Sequence, residues 1–421
     1  MTKSQRVAVG IAAVLLGTSP AFAQQRVDAP VQPGTTESRP GLLIEPRGIT
    51  KAIDLFNRRT SKGETEPKDG FYVELGNMVT GAGWLSAGPG YRRHVFNRQA
   101  IFSASGAVSV RLYRRAQARI EFPHLANDRL TVGAQTLFSD ALQVNYYGLG
   151  NDSNESSRSG YRLRTSDLTT YARVGTPALS ARARIGWLLP VFVGPMGRSA
   201  IYPDTLDAFT ESGAPGLSGS PSFLHTDLSL TADSRDYPGH PTRGGFYQAV
   251  WSMYADQQTG EHSFQRYEAG ASHYVPLGSD KWILALSAGA VLSRVPDGNS
   301  VPIYLMPNLG GRNQRGFADY RFHDLNVQSY SVESRWRLFS HVDVAGFVDL
   351  GSVSPTIRQL ALSDLKPAYG AGIRLHNQKV TIGRLDLAHG TEGWRIVFKM
   401  NDPFRRSTQS NGWRPVAPFF P

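Results

Sequence analysis

Residues 330–339 read YSVESRWRLF, and along this stretch apolar and polar side chains alternate. The apolar set is Tyr330, Val332, Trp336 and Leu338, and the polar set is Ser331, Glu333, Arg335 and Arg337. Successive side chains of a β-strand point to opposite faces, so the pattern predicts a strand with one apolar face and one charged face. Charges in the middle of a strand are too costly for a dry core, whereas a water-filled interior accepts them.

The same alternation recurs along the chain, in residues 247–253, 282–293, 342–353 and 394–400. Nearer the start, Val108, Val110 and Leu112 oppose Ser109, Arg111, Tyr113 and Arg115. No run of 18 apolar residues is present, so no transmembrane helix is predicted. Such a chain can cross a membrane only as a closed β-barrel. A soluble β-sandwich would alternate too, so alternation alone leaves both folds open.

Three features favour the membrane barrel. Aromatic residues lie toward predicted strand ends, as an interfacial girdle would place them: Tyr247, Trp282, Trp336 and Trp394. Charges occupy mid-strand positions, and short turns such as 276–281 alternate with long connections such as 148–160 and 212–221. We therefore predict an all-β, transmembrane antiparallel β-barrel over residues 70–404. That length gives about 16 strands, although about 14 or 18 would divide it almost as well.

The first 23 residues have the pattern of a secretory signal peptide. Lys3 and Arg6 precede a short apolar run, and Ala21-Phe22-Ala23 supplies the cleavage pattern. The run is shorter than the roughly 20 residues of a membrane anchor. Residues 24–69 are predicted to form a flexible segment with one short helix near 49–58, and residues 405–421 a C-terminal tail.

Composition excludes several classes of site. Cysteine is absent from all 421 residues, which rules out disulfides, thiolate metal sites and cysteine nucleophiles. The net charge is +11, or +9 once Lys3 and Arg6 are removed with the signal peptide. Most basic residues are arginines at single, alternate positions, which fits a polar barrel interior better than a nucleic-acid-binding patch.

The sequence assembles no catalytic or metal site by local spacing. The ten histidines show no close pairing of the His-Glu-x-x-His kind. Residues 216–220 fall short of a Gly-x-Ser-x-Gly elbow, and residues 148–150 lack the strand-turn-helix context of a dinucleotide site. We therefore expect no catalytic residues, no metal, no cofactor and no enzymatic activity.

Three ordered motifs carry a family resemblance. Residues 310–317, reading GGRNQRGF, resemble the Arg-Gly-Phe/Tyr loop of the BamA/TamA surface-antigen barrel superfamily. Val332-Glu333-Ser334-Arg335 and Phe347-Val348-Asp349-Leu350-Gly351 resemble the strand motifs that follow it. Residues 233–244 look like the family's Asp-x-Arg…Pro-x-x-Gly hairpin, and residues 384–388 and 394–398 resemble its last two strands. The segment 147–152 is a weaker match.

The resemblance implies a loop that folds into the barrel, with Arg315, Gly316 and Phe317 at its motif. In that family the loop arginine contacts acidic residues of the inner wall, which here would be Glu333 and Asp349. Alternation independently points both carboxylates inward, together with the cations Arg335 and Arg337. A cation and two carboxylates can fix the loop by charge-assisted hydrogen bonds. We expect this cluster to plug and stabilise the barrel rather than to act directly in transport.

Two departures from the family pattern bear on function. Members that insert or secrete proteins carry periplasmic polypeptide-transport (POTRA) domains before the barrel, and we expect none within residues 24–68. The family also places its last aromatic residue at the chain end, whereas Phe404 is followed by a Pro/Arg-rich tail. The chain therefore resembles the subgroup of these barrels without POTRA domains.

We expect a protein of the bacterial outer membrane that acts in insertion or translocation of protein or lipid. Two alternatives remain: a passive pore whose Arg-rich interior favours anions, and a lipid hydrolase with a serine and a histidine at a barrel edge. The expected contacts are outer-membrane lipids and lipopolysaccharide, with no nucleic acid and a monomeric barrel. A periplasmic partner protein is left open.

Overall fold

A computed structural model describes residues 40–51, 53, 69–77, 85–196, 201–311, 313–377, 379–400 and 402–404. The predicted signal peptide and the tail 405–421 lie outside the described residues. In the predicted N-terminal helix, residues 49–51 and 53 are described and helical, and helix begins at residue 47.

Almost all regular structure is β-strand. The strands are β1 Gly70–Asn77, β2 Leu85–Val95, β3 Ala100–Ser109, β4 Arg114–Leu125, β5 Leu130–Tyr146, β6 Ser159–Gly175, β7 Leu179–Leu188, β8 Phe192–Gly194, β9 Phe223–Asp233, β10 Gly244–Asp256, β11 Phe264–Pro276, β12 Trp282–Arg294, β13 Asn308–Leu309, β14 Phe322–His323, β15 Asn326–Phe339, β16 Val342–Ser354, β17 Lys366–His376, β18 Thr381–Gly390 and β19 Gly393–Lys399. Besides the helix that begins at residue 47, the described residues contain the short helices Glu155–Ser157, Thr205–Ala208, Ile357–Gln359 and Leu362–Asp364. No helix among the described residues is long and apolar enough to cross a membrane.

The strands form an antiparallel meander. One sheet holds 17 strands, and a separate two-stranded sheet pairs β13 with β14 inside the connection from β12 to β15. Of the 17, β8 has only 3 residues and pairs with the end of β6, so β7 pairs directly with β9. The other sixteen are the long strands of the described region, which confirms the all-β barrel fold with the predicted strand number.

The two ends of the barrel differ in the length of their connections. Because neighbouring strands are antiparallel, successive connections alternate between the ends. One end has turns such as 96–99, 176–178 and 340–341, and the other carries 147–158, 195–222 and 295–325. Outer-membrane barrels have short periplasmic turns and longer extracellular loops. We call the end with the short turns the turn end, and the end with the long connections the loop end.

The alternation predicted from sequence matches the two faces of the sheet. Val332, Trp336 and Val348 point outward and are exposed, whereas Glu333 and Asp349 are buried inside. The long loops bury a second apolar cluster at the loop end, which includes Tyr146, Tyr161, Phe223 and residues 301–306. The interior is therefore filled by polar wall residues and by inward-folded loops.

One predicted strand is wrong. Residues 108–115 were expected to alternate in a single strand, but β3 ends at Ser109 and β4 begins at Arg114. Leu112 has φ 61°, and its backbone N–H donates to the Ser109 carbonyl at 2.8 Å. Tyr113 turns inward, where its hydroxyl donates to the Gln143 carbonyl at 2.5 Å. The residues of this tight turn happen to continue the alternation of apolar and polar side chains. The two-residue period alone therefore did not reveal the turn.

Candidate functional site

The connection 295–325 folds back into the barrel as a hairpin, which we call the inner hairpin (residues 308–323). Its arms are β13 and β14, with Asn308 opposite His323 and Leu309 opposite Phe322. The tip is closed by the Gly311 N–H, which donates to the Phe317 carbonyl at 3.0 Å. Gly310 has φ 125°, and a side chain there would collide with the Ala318 carbonyl. The sequence GGRNQRGF thus supplies glycine where the tip requires it.

Arg315 lies at the tip and binds two carboxylates of the inner wall. Its Nε donates to Asp349 Oδ2 and its Nη2 to Asp349 Oδ1, both at 2.8 Å. Its Nη1 donates to Glu333 Oε2 at 2.5 Å. Its guanidinium carbon also lies 3.4 Å from the centre of the Phe347 ring. The structure therefore brings together the arginine and both carboxylates singled out from the sequence.

The Arg315 cluster is larger than the sequence indicated. Glu333 also accepts hydrogen bonds from Arg335 Nε at 2.8 Å and from Arg374 Nη2 at 2.8 Å. Arg374 reaches Asp386, which also accepts from Arg384. Arg335 lies 2.8 Å from Asp402, beyond the last strand. The members are Arg315, Arg335, Arg374 and Arg384 with Glu333, Asp349, Asp386 and Asp402, so four cations meet four carboxylates.

The neighbouring carboxylates stabilise the charged form of Arg315. Burial alone would lower the pKa of Arg315, but the neighbouring carboxylates of Asp349 and Glu333 raise it above its ordinary value. Glu333 is completely buried. Buried charges are tolerated only when they are paired and hydrogen-bonded. Each charged side chain of this cluster therefore depends on its oppositely charged partners to be tolerated in the interior.

Gly316 and Phe317 fit the inner hairpin against the last strands. A Cβ atom on Gly316 would lie 2.7 Å from the Cβ of Ala368 and 2.8 Å from the backbone N of Gly390. Phe317 is fully buried and packs edge-on against Phe322 at 5.2 Å. Both motif residues thus let the tip lie against β17 and β18.

A second arginine ties the inner hairpin to another loop. Arg321 Nε donates to Glu392 at 2.6 Å, and its Nη atoms donate to the hydroxyl and carbonyl oxygens of Ser153 at 2.8 and 2.6 Å. The Gly150 N–H donates to the His323 carbonyl at 2.9 Å. The segment 147–152, a weak motif match in sequence, therefore contacts the hairpin directly.

Arg337, the other predicted inward cation, lies apart from the cluster. It is buried, but its partner is Asp280 in the turn before β12, at 3.5 Å. It therefore belongs to the turn end rather than to the Arg315 site.

The motif 233–244 forms the turn between β9 and β10. Arg235 donates to both carboxylate oxygens of Asp233, at 2.8 and 2.7 Å. Asp236 accepts from the Thr242 N–H at 2.9 Å and the Thr242 hydroxyl at 2.5 Å. The turn reaches the far wall, because the Thr381 N–H donates to the Gly239 carbonyl at 2.9 Å.

In the part of the loops that the structure describes, His262 lies near Ser300. His262 Nδ1 is 3.1 Å from Ser300 Oγ, but it is also 3.2 Å from the Ser300 carbonyl. The pair joins two loop-end connections and is not at a barrel edge. This contact resembles a link between two loops more than the serine–histidine pair that a hydrolase requires.

Comparisons with known proteins agree with this geometry. A family model described as the Omp85 superfamily domain matches residues 97–393. The structure of BamA from Haemophilus ducreyi lacking POTRA domains 1–3 resembles this chain with a TM-score of 0.59 at 14% identity, covering 80% of this chain and 70% of that one. CdiB from Escherichia coli has a TM-score of 0.50 at 13% identity, covering 80% of this chain and 62% of that one, less than two thirds.

No curated protein matches the sequence. At these identities the structural likeness concerns the fold, whereas the family match covers most of the chain and confirms the resemblance seen in the motifs. The chain belongs to the Omp85 superfamily and is a β-barrel of the bacterial outer membrane.

Proposed function

We propose that this barrel acts in the insertion or translocation of protein or lipid at the outer membrane, without covalent chemistry. The observation that carries the proposal is the inner hairpin, held inside the barrel by Arg315 on Asp349 and Glu333. A diffusion pore needs an open interior, whereas this interior is occupied by a fastened segment. In this proposal the hairpin organises the interior while substrate passes at the wall.

The first and last strands form the candidate passage, which we call the seam. β1 pairs with β2 and β19 pairs with β18, and the described residues include no ladder between β1 and β19. Two outward residues of these end strands are highly exposed: Phe71 is 86% and Ile396 75% exposed, against 46% for Val348 in the middle of the sheet. Strand edges with unpaired backbone groups are where a further strand can add.

The balanced charges of the Arg315 cluster do not favour an anion pore. Each of its four arginines faces a carboxylate, so the site presents little net positive charge to an anion. Anion-selective pores use rings of arginine or lysine. The passive pore therefore gains no support from this part of the interior.

Reconstitution with a locked seam tests the proposal. The chain has no cysteine, so cysteine pairs can be added without background. One cysteine at Val73 would be combined in turn with cysteines at Trp394, Ile396 and Phe398, and the oxidised pair that forms would be used. The control pair is Val332 with Val348, which lie opposite each other in a closed ladder.

Two rates would be followed in liposomes: folding of a urea-unfolded barrel protein, and transfer of a fluorescent lipid between leaflets. We expect the wild type to accelerate one of these two rates. Oxidation of the seam pair should abolish this acceleration, whereas oxidation of the control pair should leave it unchanged. Equal rates with and without the protein would contradict the proposal.

A further inference from the structure

Three buried side chains of metal-ligating type meet at the turn end, outside the Arg315 cluster. His240 comes from the turn between β9 and β10, Asp343 from the start of β16 and His376 from the end of β17. Each is nearly fully buried, and one potential ligand atom from each lies within 4.8 Å of the others. Sequence spacing did not reveal this group, because its members are far apart along the chain.

Both imidazoles point a ring nitrogen at the same carboxylate. His240 Nε2 lies 3.3 Å from Asp343 Oδ2, and His376 Nε2 lies 3.0 Å from Asp343 Oδ1. Bonds of about 2.0–2.2 Å to tetrahedral zinc place neighbouring ligand atoms about 3.3 Å apart. The two nitrogen–oxygen separations, each to a different carboxylate oxygen, match such edges as well as they match direct hydrogen bonds.

The outer hydrogen bonds also suit a metal site. His376 Nδ1 lies 3.1 Å from the Asn377 carbonyl, which can only accept, so this nitrogen carries the proton. In the neutral ring, Nε2 then directs a lone pair at the Asp343 carboxylate, an arrangement that calls for a cation between them. His240 Nδ1 has its own partner in the Thr381 hydroxyl, at 3.1 Å. Outer partners of this kind orient metal-binding imidazoles.

Proton binding is the competing explanation. A charged His376 ring would pair with Asp343 without any metal. The two imidazole rings stack with centroids 3.8 Å apart and planes 12° apart, so at most one of them carries a proton charge and the other remains a neutral ligand. One divalent ion would bind both nitrogens and the carboxylate after the two nearly parallel rings turned toward it.

We propose that His240, Asp343 and His376 bind one divalent first-row transition metal ion, which fastens the β9–β10 turn to the ends of β16 and β17. Imidazole and carboxylate ligands suit Zn²⁺, Ni²⁺, Cu²⁺ or Fe²⁺, whereas Ca²⁺ and Mg²⁺ favour all-oxygen sites. The turn already docks there, because Gly239 lies beside Val380. The ion holds the β9–β10 turn in its position across the barrel interior.

Zinc binding to the untagged, metal-free full chain in detergent tests the proposal. Calorimetry would give the affinity, and elemental analysis after dialysis the stoichiometry. We expect one Zn²⁺ per chain in the wild type, and loss of that ion in His240→Gln and in Asp343→Asn. His341→Gln is the matched control, because His341 is at the same end but pairs with Glu45, and it should bind like the wild type.

Trypsin cleavage after exposed Arg243 supplies a second readout. Zinc should slow cleavage in the wild type and in His341→Gln but not in His240→Gln. Variants would first be checked for the heat-dependent gel shift of a folded barrel, and Asp343→Asn replaces His240→Gln if the latter does not fold. A wild type that holds no more Zn²⁺ than the folded variants would overturn the proposal in favour of the protonated pair.

Discussion

Arg315 and Asp349 are joined by three hydrogen bonds, because the Asp349 carboxylate accepts from Nε, from Nη2 and from the backbone N–H of Arg315. The carboxylate therefore fixes both the side chain and the main chain at the tip of the inner hairpin. A bidentate pair of this kind specifies direction as well as distance. The hairpin has one defined position in the barrel for this reason.

Replacing Asp349 by Asn should weaken the barrel by about 3–5 kcal/mol, because it removes one charge of a buried pair and leaves Arg315 under-compensated. Urea unfolding of the refolded protein in detergent would measure this loss. The double variant Arg315→Ala/Asp349→Asn should lose less than the sum of the two single variants. Strict additivity would show that the two residues do not act as a pair.

Substitution of Gly316 by Ala should displace the tip, because the added methyl group would lie 2.7 Å from the Cβ of Ala368. Overpacking of this kind costs about 1–3 kcal/mol. The matched control is Gly219→Ala, since a Cβ there makes only ordinary contact with Pro221 at 3.5 Å. Thermal unfolding would compare the two variants, and equal stabilities would argue against close packing of the tip.

The inner hairpin should loosen in acid through His323. Burial lowers the pKa of His323 to about 3. The unfolded segment therefore binds a proton that the folded one resists, so the stabilisation is complete above about pH 6.5 and declines as the pH falls toward 3. At pH 4.5 the loss relative to pH 7 should reach about 2.5 kcal/mol.

Hydrogen exchange of residues 308–323, corrected for the intrinsic effect of pH, would measure this change between pH 7 and pH 4.5. His323→Phe should abolish most of the loss, whereas replacement of exposed His124 by Phe should leave it in place. Equal acid sensitivity in wild type and His323→Phe would assign the effect to another group.

The sequence predicted the wall of this barrel better than its interior. Alternation identified the two faces of β15 and β16, because outward apolar and inward charged residues follow a period of two. It placed Glu333 and Asp349 inside, and the motif resemblance supplied Arg315 as their partner. Both inferences use local order along the chain.

Contacts between distant segments were not predictable in the same way. Asp386 and Asp402 join the cluster only through strand register and through the course of the chain beyond β19. His240 meets His376 because a turn crosses the interior, which no spacing rule describes. The turn at residues 110–113 was missed because its residues continue the alternation of the strand before it.

Conductance of the refolded protein in planar bilayers, compared between wild type and Arg315→Ala, tests the central claim most directly. We expect the wild type to be closed, because the inner hairpin is fastened in the interior, and Arg315→Ala to show frequent openings while still folded. Arg315→Lys should be intermediate, since lysine keeps the charge but loses the paired hydrogen bonds to Asp349. A wild type that conducts steadily, with the same conductance after Arg315→Ala, would contradict the account and favour a plain pore.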